Sequence, residues 1–276
     1  MTYRQLLGLG TEILSKAGIT EAPIDAWRLF ENITGMDRAR YIMIEEDEAP
    51  EEEKEAYRIL IQKRAERVPL QYIIGEQEFM GMTFKVNSSV LVPRMDTEIL
   101  VVETARKLKS GMKLLDMCTG SGCILISLMH LIEGVNGTGS DISKQALLVA
   151  KENAVNNQIP ATFVCSDMFE QIEGTYDIIV SNPPYIPTAV ISTLMPEVRD
   201  FEPSRALDGH EDGLYFYRTL AKQSMDYLNE GGYLFLEIGC EQAEDVTGYL
   251  TANGFTGVTV VKDLAGLDRV VYGKKA

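Results

Sequence analysis

The sequence predicts an α/β chain: a doubly wound, mostly parallel sheet covered by helices, preceded by a small helical domain. Three observations predict it. After Pro93 short apolar runs alternate with helical segments, as parallel strands joined by crossover helices require. Before Leu70 apolar residues recur at three- and four-residue steps, without strand-like alternation. The last two strand-like runs, GVTVV at 257–261 and RVVYG at 269–273, lie too close for a crossover helix, so they pair antiparallel and give the sheet a mixed edge.

The helical part opens with Leu6, Leu7, Ile13 and Leu14, followed by Ala26, Leu29, Phe30 and Ile33. Trp27 and Phe30 share a helical face and read as the core of this small domain. EEDEAPEEEKE at 45–55 reads as a solvated helix start beyond Pro50. FMGMTFKVNSSVLV at 79–92 alternates around Asn-Ser-Ser, which predicts a hairpin turning there. The domains are then 1–75 helical, 76–92 hairpin linker and 93–276 α/β. Strands are expected at 113–117, 137–140, 161–165, 176–180 and 232–238, with helices at 143–156 and 214–228.

With 276 residues, 45% of them hydrophobic, the chain can bury a sizeable core. Its formal charge of −15 argues against a broad nucleic-acid or anionic-membrane footprint, which needs clustered positive charge. Cys118, Cys123, Cys165 and Cys240 show neither CxxC spacing nor a nearby histidine cluster, so they read as buried thiols and not as a metal site or disulfide framework. His130 reads as packed on an apolar helix and His210 as solvated. No stretch has the pattern of a signal peptide or a membrane span, so a cytoplasmic location is expected.

DMCTGSGC at 116–123 sits where the first strand of the α/β domain turns into a helix. Gly120 and Gly122 let backbone pass close to a ligand, and Cys118, Thr119 and Ser121 complete the loop. The GxGxxG spacing is not met, because Leu125 stands at its third position, which favours a nucleoside site over a pyrophosphate cradle. Asp141 ends the second strand, 21 residues beyond Gly120, where a carboxylate can accept from both ribose hydroxyls. Asp167 ends the third, within reach of an adenine amino group. Each aspartate also has a structural reading as a turn or cap residue, Asp141 before Ser143 especially. Their joint placement at successive strand tips, on the edge where open α/β sheets bind ligands, favours the site. An acidic rim suits a cationic sulfonium, and the inferred cofactor is S-adenosylmethionine.

The fourth of these strands runs into VSNPPYIP at 180–187. Pro183 and Pro184 lack N–H groups, so the segment offers acceptors with almost no competing donors, and proline stiffens the residue before it. A planar amino group can give one hydrogen to the Asn182 side-chain oxygen and one to the Pro183 carbonyl, while Tyr185 packs on its plane. Carboxamides satisfy that geometry, and methyl transfer to such a nitrogen needs mainly alignment. The structural alternative is an Asn-Pro turn that merely ends a strand.

These residues resemble the peptide chain release factor glutamine methyltransferases, over nearly the whole chain. NPPY is shared with adenine-N6 DNA methyltransferases; PLQYIIGEQEFMGMTFKV from Pro69, VLVPRMDTE from Val90, FEPSRALDGHEDGL from Phe201 and AGLDRVV from Ala265 are more telling, as is AGITEAPIDAWRLF from Ala17. The resemblance implies a class I S-adenosylmethionine-dependent methyltransferase, Rossmann-like with a mixed seven-stranded sheet, behind a helical substrate-recognition domain. It implies methyl transfer to the glutamine of the Gly-Gly-Gln loop in class I release factors; a monomer is expected, and the charge balance leaves no nucleic-acid or membrane partner to expect. Cofactor roles then fall on Cys118 to Gly122, Asp141, Asp167, Met168 and Asn182, with Asn182, Pro183, Pro184 and Tyr185 on the glutamine; the catalytic set is Asn182, Pro183 and Tyr185. Cys118 stands where the family usually has a glycine, and Met168 where an aromatic residue often flanks adenine. An adenine-N6 nucleic-acid methyltransferase shares the clamp but needs a basic channel that the charge balance does not supply. A nonenzymatic helical module is the third reading.

Overall fold

Thr2 and Gln5 cap each other reciprocally, each side chain accepting from the other's backbone amide, and this starts α1 (Tyr3–Lys16). The computed structural model describes all 276 residues, which form two units: Met1–Gly75 with Met195–Phe201, and Glu76–Leu194 with Glu202–Ala276. In the first unit α1 is followed by α2 (Ala22–Thr34), closed by left-handed Gly35, and by α3 (Arg38–Ile44), which Asp37 caps. Next come α4 (Glu51–Ala65) and α5 (Leu70–Ile74). The acidic run supplies Glu51, Glu52 and Glu53 to the first turn of α4, and Lys63 and Arg64 occupy its last, both matched to the helix dipole. Phe30 sits at the centre of the core, with the rings of Tyr3, Trp27, Tyr41 and Tyr57 all within 6.0 Å.

The second unit begins with β1 (Glu76–Phe79) and β2 (Met82–Lys85), antiparallel and joined by Met80-Gly81. The hairpin therefore turns earlier than the sequence suggests. Met80 and Gly81 both have positive φ, 52° and 72°, and such a two-residue loop matches the strands' twist. Asn-Ser-Ser closes a local turn instead, the Asn87 side chain accepting from Ser89 N at 2.9 Å. Val90 and Val92 are buried without joining a strand.

Beyond it run α6 (Thr97–Ala105), β3 (Lys113–Met117), α7 (Cys123–Leu131), β4 (Asn136–Asp141), α8 (Lys144–Asn156), β5 (Thr162–Cys165) and β6 (Tyr176–Ser181). Two short helices follow, α9 (Thr188–Ile191) and α10 (Pro196–Phe201), and then α11 (Tyr215–Tyr227), β7 (Leu228–Glu237), α12 (Ala243–Ala252), β8 (Phe255–Lys262) and β9 (Asp268–Lys275). The sheet order is β5-β4-β3-β6-β7-β9-β8, with β9 antiparallel to both neighbours. Alternate residues feed two cores: Leu114, Ile178, Val180 and Phe235 pack under α6 and α7, whereas Leu115, Met117, Ile179 and Leu234 pack under α11 and α12. Glycines make β4 thin enough for this, since a Cβ at Gly137 would meet Met129 Sδ at 2.3 Å. The chain leaves β3 toward β4 on one side and later returns as β6 on the other, so the crevice at their carboxyl ends is a topological switch point.

α10 belongs to the first unit. Arg64 gives Nε to Asp25 at 2.7 Å and Nη2 to Glu197 at 2.9 Å, and Arg67 gives Nη2 to the other Glu197 oxygen at 2.7 Å. The chain departs from expectation at three polar positions. His130 is exposed, because it lies in the last turn of α7 where the buried stretch ends. Cys165 and Cys240 are exposed too, one ending the edge strand β5 and the other in the turn after β7. No helix is long and apolar enough to cross a membrane.

Candidate active site

The link from β3 to α7 packs three left-handed residues into five positions: Cys118 at φ 61°, Gly120 at 55° and Gly122 at 80°. A Cβ at Gly122 would stand 3.0 Å from Ile126 Cδ1 and 3.2 Å from Ala150 Cβ, so helix packing as well as φ requires glycine there. Hydrogen bonds from three directions hold the loop. Thr119 N donates to the Ser140 carbonyl at 2.9 Å, the Thr119 hydroxyl to Asp116 Oδ2 at 2.6 Å, and Asn153 Nδ2 to the Ser121 carbonyl at 2.9 Å. Asn153 also accepts from Lys85 N at 2.7 Å, which ties the hairpin to the loop. Asp116 is fully buried with Oδ1 unpartnered, and burial pushes its carboxyl up to about 7.

Asp141 ends β4 with one oxygen accepting from Gly120 N at 3.0 Å and the other from Ser143 N at 2.8 Å. It is not the helix cap; Ser143 is, its hydroxyl accepting from Ala146 N. Burial raises the Asp141 carboxyl above its ordinary range, while the two amides and the Arg205 charge oppose that rise. At the tip of β5 the Ser166 hydroxyl donates to the Met168 carbonyl at 2.8 Å and fixes Met168 at φ 44°. Asp167 is exposed.

A cavity of about 630 Å³ opens at these strand ends. Cys118, Thr119, Gly120, Ser121, Asp141, Asp167, Met168, Asn182 and Pro184 all line it; Gly122, Pro183 and Tyr185 do not. Gly122 packs behind the loop instead. Asn182 follows β6, whose Ser181 stands beside Met117 in register and donates to its carbonyl at 2.6 Å. Asn182 Nδ2 donates to Thr97 Oγ1 at 3.3 Å. Tyr185 is half-buried, its carbonyl accepts from Gln242 Nε2 at 3.0 Å, and burial pushes its hydroxyl up to about 12. The structure adds lining residues that the motif reading left aside, notably Arg94, Thr97, Arg205 and His210. Arg94 pairs with Glu202 at 2.6 Å. Periodicity gave no signal for these four, since the segments that carry them are loops and a helix start.

The residues present suit S-adenosylmethionine. Asp141 would offer carboxylate lone pairs to its vicinal hydroxyls and Ile142 and Met168 an apolar slot to its adenine, while Asp141, Asp167 and Asp208 balance Arg94 and Arg205 around the cavity where its charged sulfonium would lie. The volume lies in the range of cofactor sites. Residues 5–75 match the PrmC N-terminal domain and residues 87–195 the methyltransferase small domain. The release factor glutamine methyltransferase of Geobacter sulfurreducens is 40% identical over 275 residues, covering 99% of this chain and 96% of that one. The chain belongs to the release factor glutamine methyltransferase family. The relative from Clostridium botulinum is 39% identical, with 100% of both chains covered. Members of this family are S-adenosylmethionine-dependent enzymes of the class I fold. A methyltransferase from Pyrococcus furiosus shares that fold with a TM-score of 0.57 at 17% identity, covering 78% of this chain and 99% of that one.

Proposed function

We propose that this chain methylates the side-chain amide nitrogen of the glutamine in the Gly-Gly-Gln loop of class I peptide chain release factors, as a cytoplasmic monomer without a nucleic-acid partner. What carries the reading is the acceptor pair at the end of β6. Asn182 lines the cavity at the switch point, and two prolines follow it in place of backbone donors. No donor of the chain takes the Pro183 carbonyl. A glutamine amide presented there gives one hydrogen to Asn182 Oδ1 and one to the Pro183 carbonyl, and Tyr185 supports its plane. Held so, the nitrogen keeps its lone pair free to face the cofactor side of the cavity. S-adenosylmethionine, when bound, supplies the electrophilic methyl carbon.

Asp141 and the 118–122 loop orient the nucleoside, with Asp167 and Met168 beside its base. Fixing both partners is the main catalytic service, and good alignment lowers such barriers by about 7–11 kcal/mol. No side chain has to act as a strong base first, because the amide nitrogen becomes far more acidic as it is alkylated. The helical unit, which shows Ile42 and Met43 to solvent on α3, is the part we assign to recognition of the release factor.

Incubation with labelled S-adenosylmethionine and either a class I release factor or duplex DNA tests this reading. Label on one glutamine-containing peptide of the release factor is expected; label in DNA alone would defeat it.

A further inference from the structure

Glu237 ends β7 as a buried carboxylate, 2% exposed, with Oε2 lacking any hydrogen-bond partner. Its backbone carbonyl accepts from the Tyr217 hydroxyl at 3.0 Å, and Thr97 and Asn182 are the polar side chains beside its carboxyl. Thr97 opens α6, is 3% exposed, and accepts the Asn182 Nδ2 hydrogen at 3.3 Å. A hydroxyl that accepts from Asn182 still has its own hydrogen to give, and an ionised carboxylate is acceptor only. Both neighbours therefore have a hydrogen that can turn toward Glu237.

The consequence concerns Asn182, whose two amide ends are similar in shape and opposite in polarity. With Nδ2 committed to Thr97, Oδ1 is the end left for the cavity that Asn182 lines. Turned the other way, Asn182 would set N–H against the N–H of an incoming amide. We propose that Glu237, acting with Thr97, is a positioning residue that locks the Asn182 carboxamide with its oxygen toward the substrate glutamine. This rests on the reading of Asn182 as acceptor for the glutamine amide.

Other charged or titratable groups face Glu237 from every side: Arg269 on β9, Asp96 before α6, Tyr185 after β6, Tyr217 on α11 and Cys123 at the start of α7. Burial pushes the Glu237 carboxyl up to about 7, with Thr97, Arg269 and Asn182 opposing. Once protonated it can donate to Thr97, and the lock loses its polarity. The transfer rate should then fall as pH drops through about 7.

The test uses the full-length enzyme with a class I release factor, comparing wild type, Glu237→Gln and Thr97→Val. Expected in both variants is a kcat roughly 10- to 100-fold lower, with S-adenosylmethionine affinity by calorimetry within about twofold of wild type. In Glu237→Gln the acidic limb of the kcat profile should also vanish. Wild-type kcat with the limb intact in Glu237→Gln, or a raised KM at unchanged kcat in both, overturns the assignment while leaving the methylation reading standing. A wild-type enzyme that transfers nothing to any release factor removes both. Should Glu237→Gln fail to fold by its thermal melt, Thr97→Val decides the question, through the kcat and KM criteria alone.

Discussion

Gly120 N and Asp141 Oδ2 meet at 3.0 Å, a bond between residues 21 positions apart that ties the loop after β3 to the tip of β4. The left-handed φ of 55° at Gly120 favours glycine there, and the carboxylate gives one lone pair to Gly120 and one to Ser143 while keeping others for a ligand. Binding a cofactor then meets a loop and an acid already set in mutual register.

Asp141→Asn removes the charge and turns one acceptor oxygen into a donor. Hydrogen bonds to charged groups are worth about 1.5–3 kcal/mol each, so the Kd for S-adenosylmethionine should rise roughly 10- to 150-fold. Calorimetry checks it. A change under about threefold would mean that the ribose hydroxyls do not rely on Asp141.

On the proposed reading, Asn182→Ala takes away one of two acceptors for the glutamine amide while Asp141 and the 118–122 loop still hold the nucleoside. By analogy with loss of one oriented polar group at a reacting centre, single-turnover transfer should slow by roughly 10²–10³-fold, with cofactor affinity little changed. Retained turnover would contradict the clamp.

The strands after Pro93 and the antiparallel edge were legible because their apolar runs are short and their spacing leaves room for one crossover helix or none. Gly137 and Gly139 did not hide β4, since its neighbours alternate regularly. The turn at Met80-Gly81 was missed because its signal is a pair of positive φ angles, one of them in a methionine, whereas Asn-Ser-Ser advertises a turn by composition. Glu237 was invisible as part of the site for a different reason. A lone carboxylate closing a strand gives no pattern, and only the fold brings it beside Thr97 and Asn182, far from it in sequence. Likewise α10 reads as part of the α/β domain by position, yet Glu197 pairs with Arg64 and Arg67 of the helical unit.

That pairing carries stability. Arg64 is almost wholly buried and serves Asp25, Glu197 and the Val68 carbonyl together. Arg64→Met would leave two buried carboxylates facing each other with one cation fewer. Removing one partner of a buried pair costs about 3–5 kcal/mol, and urea denaturation should show a loss of that size. A loss below about 1 kcal/mol would mean that the network is solvated in solution.

Asp116 predicts an unusual dependence on pH. Its carboxyl is raised from 3.8 to about 7, with burial the leading cause, so the folded chain holds this proton more tightly than the unfolded chain does. The associated stability is fully present below the unfolded value, declines as pH rises from about 4, and is gone above about 7. Asp116→Asn cannot titrate, so its stability relative to wild type should climb steadily across that window and level off at higher pH. Glu237, raised in the same direction, keeps part of the slope in the variant. Urea melts of both proteins between pH 5 and 8 give the difference directly. If the gap between them stays constant over that range, Asp116 is ionised throughout, and the buried carboxylate must be compensated by a donor that reaches its free Oδ1 in solution.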